Sequence, residues 1–515
     1  LHLSVHSFPT RRSSDLVVKG ASVVTIGLFL ELLIAFVAQV VAARFLSAAD
    51  FGGLTAGTAL LDIGAIVASL GLASGLTRYL PRVEAAEKRM LTYVTVGITV
   101  ITSTVIGVAV ALNASFIATE IFGNPNVTVS IRIFGAAIPF ATMLNVAVGG
   151  IRGQERSSYW VLVKNIIHPI ARITLVVGAV LYGADQAGLA GAYALPYVVS
   201  ATVGLVLLHR TLPRPRAAFD RDRVEEVTRY SLPFTVTDVS SFIYRSIDIF
   251  LVLYFIGDAA TGIYGVAYAA VSFMGMFSTA VNFLGSPIAS RLESDGDLAD
   301  VMEMFRAVVR WLLVASVCAL LPLGVFATDF ISIIYGSKYA TGGAVLSILA
   351  VGFAVKNVLS VNNSILEAVG RSKLLSVNSA VAAITNVALN VVLIPRMGIV
   401  GAAVATTASF LLRECLAATQ VYIALGKTPL SWRATRSIIL AVPFLAVVWT
   451  VVAPAVPGTI LWLLGVTGLA SAVYLTAVLI AFGLTETDVM IVRSAEERYG
   501  LPLGRLDSLI RWLAN

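Results

Sequence analysis

Leu46-Ser-Ala-Ala-Asp50-Phe-Gly52 returns 210 positions later as Ile256-Gly-Asp258-Ala-Ala-Thr-Gly262. Three further echoes keep the same order. Ile121-Phe-Gly123 is matched by Ile334-Tyr-Gly336, Arg152-Gly153-Gln-Glu-Arg156 more loosely by Val369-Gly370-Arg-Ser-Lys373, and Leu189-Ala-Gly191-Ala192 by Ile399-Val-Gly401-Ala402. The offsets stay between 210 and 217, so a unit of about two hundred residues occurs twice. Gly and Ala are common in membrane helices, so each match alone is weak. Their shared order points to two related halves, the arrangement by which many membrane carriers build a central site.

Composition makes these halves membrane halves. The chain is 58% hydrophobic and 13% charged, with a mean hydropathy of +0.90, whereas soluble domains carry about 25% charged residues. Fourteen apolar runs are long enough to cross a hydrocarbon core of about 30 Å. They cover roughly 17–42, 51–74, 91–112, 127–150, 159–182, 189–209, 231–256, 259–284, 306–327, 341–366, 373–394, 399–425, 434–453 and 458–482, with spans two and ten the least clean. The expected fold is an all-α polytopic membrane protein of about fourteen transmembrane helices. Two pseudo-symmetric six-helix halves (17–209 and 231–425) are joined by a basic linker (210–230) and followed by two extra helices (426–482).

Loop charge orients the chain. One set of connections carries Arg78, Arg82, Lys88, Arg89, Arg152, Arg156, six arginines between Arg210 and Arg229, then Arg291, Arg306, Arg371, Lys373, Lys427, Arg433 and Arg436. The other side has only Arg44, Lys338 and Arg396. This is the positive-inside pattern, and it places both termini in the cytoplasm of a cell whose plasma membrane the chain spans many times. It also accounts for the net charge of +7 without a nucleic-acid partner. Each half has an even number of spans, so the halves share orientation and are expected to be related by an axis along the membrane normal. Residues 483–515 combine leucines and Trp512 with charges and read as an interfacial amphipathic tail, a plain solvated tail being the alternative. Residues 1–16 resemble a translated sequencing-adapter fragment rather than native sequence; a genuine basic leader is the alternative.

Ionisable residues inside the membrane are the functional candidates. Lys164, His168 and Arg172 follow one another at i, i+4 and i+8 in span five, within an arc of about 80° on a regular helix. Lys and Arg at the bilayer centre cost about 2.5–3.5 kcal/mol each, so the stripe is expected to face the bundle interior. There it can form a positive wall for an anionic substrate, or bridge structural carboxylates. Pro169 lies inside the span and is expected to kink it. On span seven Asp238, Ser241, Arg245 and Asp248 share a face. Glu31, Asp62, Arg132, Lys356 and Arg413-Glu414 are further embedded charges. Arg245 and Lys356 extend the cationic set. Asp62, Asp238, Asp248 and Glu31 are candidates for carrying a coupling proton or sodium ion, or for simple charge pairing. Asn357, Asn362 and Asn363, and Asn378, Asn386 and Asn390 on span eleven, fit interhelical hydrogen bonding better than sugar binding.

The absences are informative too. The chain has no Gly-rich nucleotide loop ending in Gly-Lys-Ser/Thr and no His-Glu-x-x-His helix. Its two cysteines, Cys318 and Cys415, both fall in spans and show no metal-ligand spacing. No cofactor, metal site or enzymatic activity is expected.

Asn386-Val-Ala-Leu-Asn390-Val-Val-Leu-Ile-Pro395-Arg-Met-Gly398-Ile-Val-Gly401-Ala-Ala-Val-Ala-Thr406 resembles the signature segment of Wzx-type polysaccharide flippases. These belong to the multidrug/oligosaccharidyl-lipid/polysaccharide exporter superfamily. Tyr230-Ser-Leu-Pro233 and Arg245-Ser-Ile-Asp248, followed by Gly257 and Gly262-Ile-Tyr264, are similar to the start of that family's second half, and so is Phe45 to Gly52 after the first span. The resemblance covers about residues 17–482 and implies the fold shared with the superfamily's multidrug exporters. It also implies movement of a polyprenyl-linked oligosaccharide, on an undecaprenyl or dolichyl phosphate carrier, to the outer leaflet. Two halves of a monomeric transport unit would alternate about a cationic cavity, with H+ or Na+ as a counter-ion or with consumption of the product as the drive. A small-molecule exporter of the same superfamily, and a polytopic glycan ligase or polymerase, are the alternatives.

Overall fold

The computed structural model describes residues 11–214, 218–276, 298–430, 432–455 and 458–483. Residues 1–10 of the adapter-like leader, Arg216 in the linker, Arg291 and the tail beyond 483 lie outside them. Within these residues the chain is helical and contains no strand. It divides into two compact units, Leu1–Gly262 and Ile263–Asn515.

The first unit contains α1 (Arg11–Phe45), α2 (Ala48–Ser69), α3 (Leu72–Tyr79), α4 (Ala85–Leu112), α5 (Ala114–Phe116), α6 (Thr128–Gly153), α7 (Ser157–Trp160), α8 (His168–Leu181), α9 (Gln186–Thr211), α10 (Arg221–Phe255) and the start of α11 (Asp258–Ser272). The second contains α12 (Leu298–Leu320), α13 (Ala327–Ile334), α14 (Gly343–Leu359), α15 (Val361–Ala368), α16 (Ser372–Met397), α17 (Ile399–Leu425), α18 (Trp432–Val447) and α19 (Ile460–Phe482). The unit boundary at Gly262 puts α10, by sequence the opening helix of the second repeat, in the first unit, where it packs on α2 and α3.

Among the described residues, twelve helical stretches are long and apolar enough to cross a bilayer. They correspond to twelve of the fourteen expected spans. The seventh expected span lies within α10, whose Asp238, Arg245 and Asp248 hold its hydropathy below that of the others. The eighth begins as α11 and continues into residues outside those described. Spans two and ten prove to be broken helices. Leu70 and Gly71, both at positive φ (49° and 67°), separate α2 from α3, and α14 gives way to α15 at Ser360.

Helix starts are set by local capping. The side-chain oxygens of Ser47, Asp185 and Asp220 accept backbone N–H groups at the starts of α2, α9 and α10, at 3.1, 2.9 and 3.0 Å, satisfying donors that have no partner within the helix.

The burial pattern is that of a protein in lipid. On α4, Thr92, Thr95, Thr99 and Ser103 are buried, while Ile101, Val105, Val108 and Leu112 are 50–79% exposed. A water-facing helix shows the reverse. The hydroxyls of Thr92, Thr99 and Ser103 donate to backbone carbonyls one turn earlier, as from Ser103 to Thr99 at 2.5 Å. The outward aliphatic face suits a hydrocarbon surrounding, in which small and polar residues form the helix contacts. Gly107 and Gly135 meet at the α4–α6 crossing, each lying against the other's carbonyl oxygen. In the second unit Gly401 lies against the Leu393 carbonyl, holding α16 and α17 together.

The repeat detected in sequence reappears as a contact. A Cβ on Gly52 would run into the backbone of Asp258 and Gly262, and a Cβ on Gly262 into that of Ala48 and Gly52. The two copies of the motif therefore meet reciprocally inside the first unit. Asn124 fastens the pair by donating to the Asp258 carboxylate at 2.6 Å.

A polar site inside the first unit

The fifth span is not a regular helix. Val161–Ile167 forms a π-helical segment that passes into α8 at His168. The cause is Pro169, which has no N–H to give the carbonyl four residues earlier and whose ring crowds that turn. The ladder widens instead of breaking, as at many functional sites. The even stripe expected from regular spacing is changed accordingly. His168 and Arg172 meet, with Arg172 Nη2 2.9 Å from His168 Nε2, while Lys164 on the wide turn is exposed and bonds neither of them.

His168 has a role the sequence did not specify. A guanidinium can only donate, so His168 Nε2 accepts from Arg172 and the ring is the neutral tautomer with hydrogen on Nδ1. It is 8% exposed, and its ring centroid is 4.6 Å from that of Tyr197. In this geometry His168 is a hydrogen-bond acceptor for Arg172.

The other helices of the unit complete the cluster. From α1, the Glu31 carboxylate accepts from Asn165 Nδ2 on the π turn and lies in the field of Lys164 and Arg172. From α9, Tyr193 and Tyr197 present their rings to the Arg172 guanidinium at 5.3 and 5.9 Å. Tyr197 also donates to Asp62 Oδ1 of α2 over 3.4 Å. Asp62 lies in the field of Arg172, Arg245 and Lys164.

α10 contributes less directly. Arg245 Nε donates to the Ser241 carbonyl of its own helix at 3.2 Å, and Asp238 is half-buried within electrostatic range of Arg245. Asp248 is 2% exposed, and its Oδ1 accepts the neighbouring Ile249 N–H at 3.1 Å. Among the described residues, Arg245 makes no ion pair with Asp238.

Lys356 belongs to the second unit. Its Nζ lies 4.9 and 4.4 Å from the ring centroids of Phe353 and Phe410, near the fully buried Glu414. The Glu414 carboxylate is held by Arg413 Nη1 at 2.6 Å and Asn363 Nδ2 at 2.9 Å. The remaining asparagines mostly join neighbouring helices: Asn378 and Gln420 exchange two 2.8 Å bonds, and Asn386 reaches Thr406 at 3.4 Å.

The first unit therefore brings Glu31, Asp62, Lys164, His168 and Arg172 together, with Arg245 in range. Among the described residues, Lys164 and Arg172 have no carboxylate within ion-pairing distance. Asn165, Tyr193 and Tyr197 were not foreseen. Two tyrosines four residues apart in a mostly apolar helix were the available signal, but their meaning depends on which helix they face. Chemically, the site offers guanidinium and ammonium groups to an anion.

Comparison with known proteins gives this arrangement a family. The sequence profile of the family described as "Polysaccharide biosynthesis protein" matches residues 17–293, more than half of the chain. The probable low-salt glycan biosynthesis flippase Agl15 of Haloferax volcanii is 26% identical over 279 residues. That match covers 53% of this chain and 58% of the relative, less than two thirds of its length. Among solved structures, the lipid II flippase MurJ in an inward closed conformation superposes with a TM-score of 0.69 at 13% identity, over 88% of this chain and 97% of that one. An inward-facing multidrug resistance MATE family transporter of the MOP superfamily gives 0.62 at 13% identity, over 76% and 95%. These likenesses show the fold of that superfamily. The chain is an integral membrane protein of the polysaccharide biosynthesis protein family, with the fold of the MOP exporter superfamily.

Proposed function

We propose that this protein is a flippase that carries a polyprenyl-(di)phosphate-linked oligosaccharide from the cytoplasmic to the outer leaflet, for assembly of a surface glycan. It is a transporter rather than an enzyme. The observation that carries the reading is the pair of cations in a membrane span, Lys164 and Arg172, that no carboxylate among the described residues contacts within ion-pairing distance. Each costs about 2.5–3.5 kcal/mol to hold in a bilayer, and neither recovers that cost through an ion pair. A phosphate group entering the site would supply the missing partner and have its own desolvation offset. The relative described as a glycan biosynthesis flippase and the fold shared with a lipid II flippase support the same substrate class.

In this reading His168 and the α9 tyrosines aim Arg172, Lys164 approaches from the wide turn, and Arg245 extends the positive surface, while Lys356 is the candidate substrate-binding cation of the second unit. The polyprenyl tail, undecaprenyl or dolichyl, stays in the bilayer while the sugars cross. Asp62, Asp238, Asp248 and Glu31 are the groups to which an H+ or Na+ counter-ion would bind. The protein acts as a monomer in the plasma membrane with both termini cytoplasmic.

The test is leaflet-resolved transport of a fluorescent lipid-linked oligosaccharide in proteoliposomes, comparing wild type with the Lys164→Ala/His168→Ala/Arg172→Ala triple variant at matched insertion. Wild-type transport that the triple variant loses by tenfold or more is the expected result; about 2 kcal/mol at the phosphate corresponds to roughly thirtyfold. Equal transport by both would make the cluster structural. No transport of a verified native glycolipid, with and without ion gradients, would favour a small-molecule exporter.

A further inference from the structure

The proposed function uses Arg172 as an anion-binding group but does not explain how it is kept from pairing with Asp62. Both are in the same cluster, and Asp62 lies in the field of Arg172. Yet no carboxylate is within 4.0 Å of the guanidinium among the described residues. Tyr197 stands between them. Its ring faces Arg172 and its hydroxyl donates to Asp62 Oδ1. Tyr193, one turn earlier on α9 and buried, faces the same guanidinium from 5.3 Å.

We infer that Tyr193 and Tyr197 are positioning residues of the site: they hold the Arg172 guanidinium by its π face and screen it from Asp62, which keeps its N–H groups for the phosphate of the substrate. This inference rests on the flippase reading for the identity of the anion, but not for the geometry. A cation–π contact attracts the guanidinium through its face and leaves the N–H donors unused. An ion pair with Asp62 would consume two of the five donors and oppose an incoming phosphate. The observed bonding fits the first arrangement. One N–H points at neutral His168, the Tyr197 hydroxyl engages the guanidinium as well as Asp62, and the buried Nε–H of Arg172 has no hydrogen-bond partner among the described residues. An unsatisfied buried donor is costly unless a ligand completes it. The Tyr197 hydroxyl meanwhile gives Asp62 a donor that is not Arg172.

The experiment uses the purified full-length protein and the arginine-selective reagent phenylglyoxal, with modification of Arg172 followed by peptide mass spectrometry. The probes are wild type, Tyr197→Leu, Tyr197→Leu/Asp62→Asn and Tyr197→Phe. With its π platform removed, Arg172 turns to Asp62 and its modification slows by about fivefold, the protection that roughly 1 kcal/mol of ion pairing gives. Removing the Asp62 charge in the double variant restores the wild-type rate, and Tyr197→Phe, which keeps the ring, stays within about twofold of it. Tyr193→Leu removes the nearer ring and is read in the same way should Tyr197→Leu fail to fold. An unchanged rate in both leucine variants overturns the inference. So does slowing that Asp62→Asn fails to reverse, since a merely structural role would not depend on that carboxylate. Geranylgeranyl diphosphate is added in a separate arm and is expected to protect wild-type Arg172. If the variant pattern holds but the diphosphate gives no protection, the positioning role stands and the phosphate-carrying reading falls.

Discussion

Replacing Gly52 with alanine tests the reciprocal contact between the two copies of the repeated motif. A Cβ at Gly52 would overlap the Asp258 carbonyl oxygen and sit 2.7 Å from the Asp258 carbonyl carbon and 2.9 Å from the Gly262 nitrogen, well inside the 3.5–4.0 Å at which such atoms rest. The atoms met are backbone, so no rotamer change relieves the overlap, and α2 and α11 must part by more than roughly 1 Å. Overpacking of this kind costs about 1–3 kcal/mol. Alanine recovers roughly 0.5–1 kcal/mol through its better helix propensity, leaving a net loss of about 1 kcal/mol from the middle of those ranges. Gly97 on α4 is the internal control, because a Cβ there meets nothing within 4 Å. Gly97→Ala should therefore keep the propensity gain alone, and the two substitutions should have opposite signs. The Gly52→Ala/Gly262→Ala double variant should lose less than the sum of the single losses, since one separation of the backbones relieves both. The assay is thermal unfolding of the detergent-purified protein by size-exclusion chromatography after heating. A loss of this size moves the midpoint of so long a chain by only about 2–4 °C, so the sign and the non-additivity decide. A Gly52→Ala protein that melts with or above wild type, alongside a stabilised Gly97→Ala, would refute the close approach.

Two further outcomes follow from the structure. Pro169→Ala restores the N–H that the π turn lacks, so the turn should contract and the helix gain up to about 3 kcal/mol, while Lys164 rotates relative to Arg172. A raised melting temperature with reduced proteoliposome transport is expected, and unchanged transport would show that the wide turn has no part in function. Arg413→Ala leaves the fully buried Glu414 carboxylate with Asn363 as its hydrogen-bond donor. The expected loss is about 3 kcal/mol, the low end for broken buried pairs, because Arg413 keeps 19% of its side-chain surface. Arg413→Ala/Glu414→Gln should recover most of that stability in the same melting assay; no recovery would mean that the charge is not the cause.

Much of this protein could be read from its sequence because the deciding physics is local. A bilayer core excludes charge over a fixed thickness, so twelve of the expected spans appear as helices within a few residues of where apolar composition put them. The repeat was legible because the helix-entry motif around Gly52 and Gly262 keeps its residues in order, and Lys164, His168 and Arg172 stood out because charges are costly among aliphatics. Other features depended on the tertiary structure. Spacing alone gave an even cationic stripe, but whether a proline kinks a helix, breaks it or widens one turn depends on what packs against the freed carbonyl. Here the result is a π turn that exposes Lys164 and leaves His168 as a neutral acceptor. The bonds from Asn165 to Glu31 and from Tyr197 to Asp62 join residues more than 130 positions apart, and no periodicity within one helix encodes such a pair. The sequence thus determined which residues enter the membrane and which of them carry charge, since transfer free energy depends on each segment's own composition. Only the tertiary structure decided which charges are neutralised and which stay available, because Coulombic and hydrogen-bond energies depend on distances that are set when the helices pack.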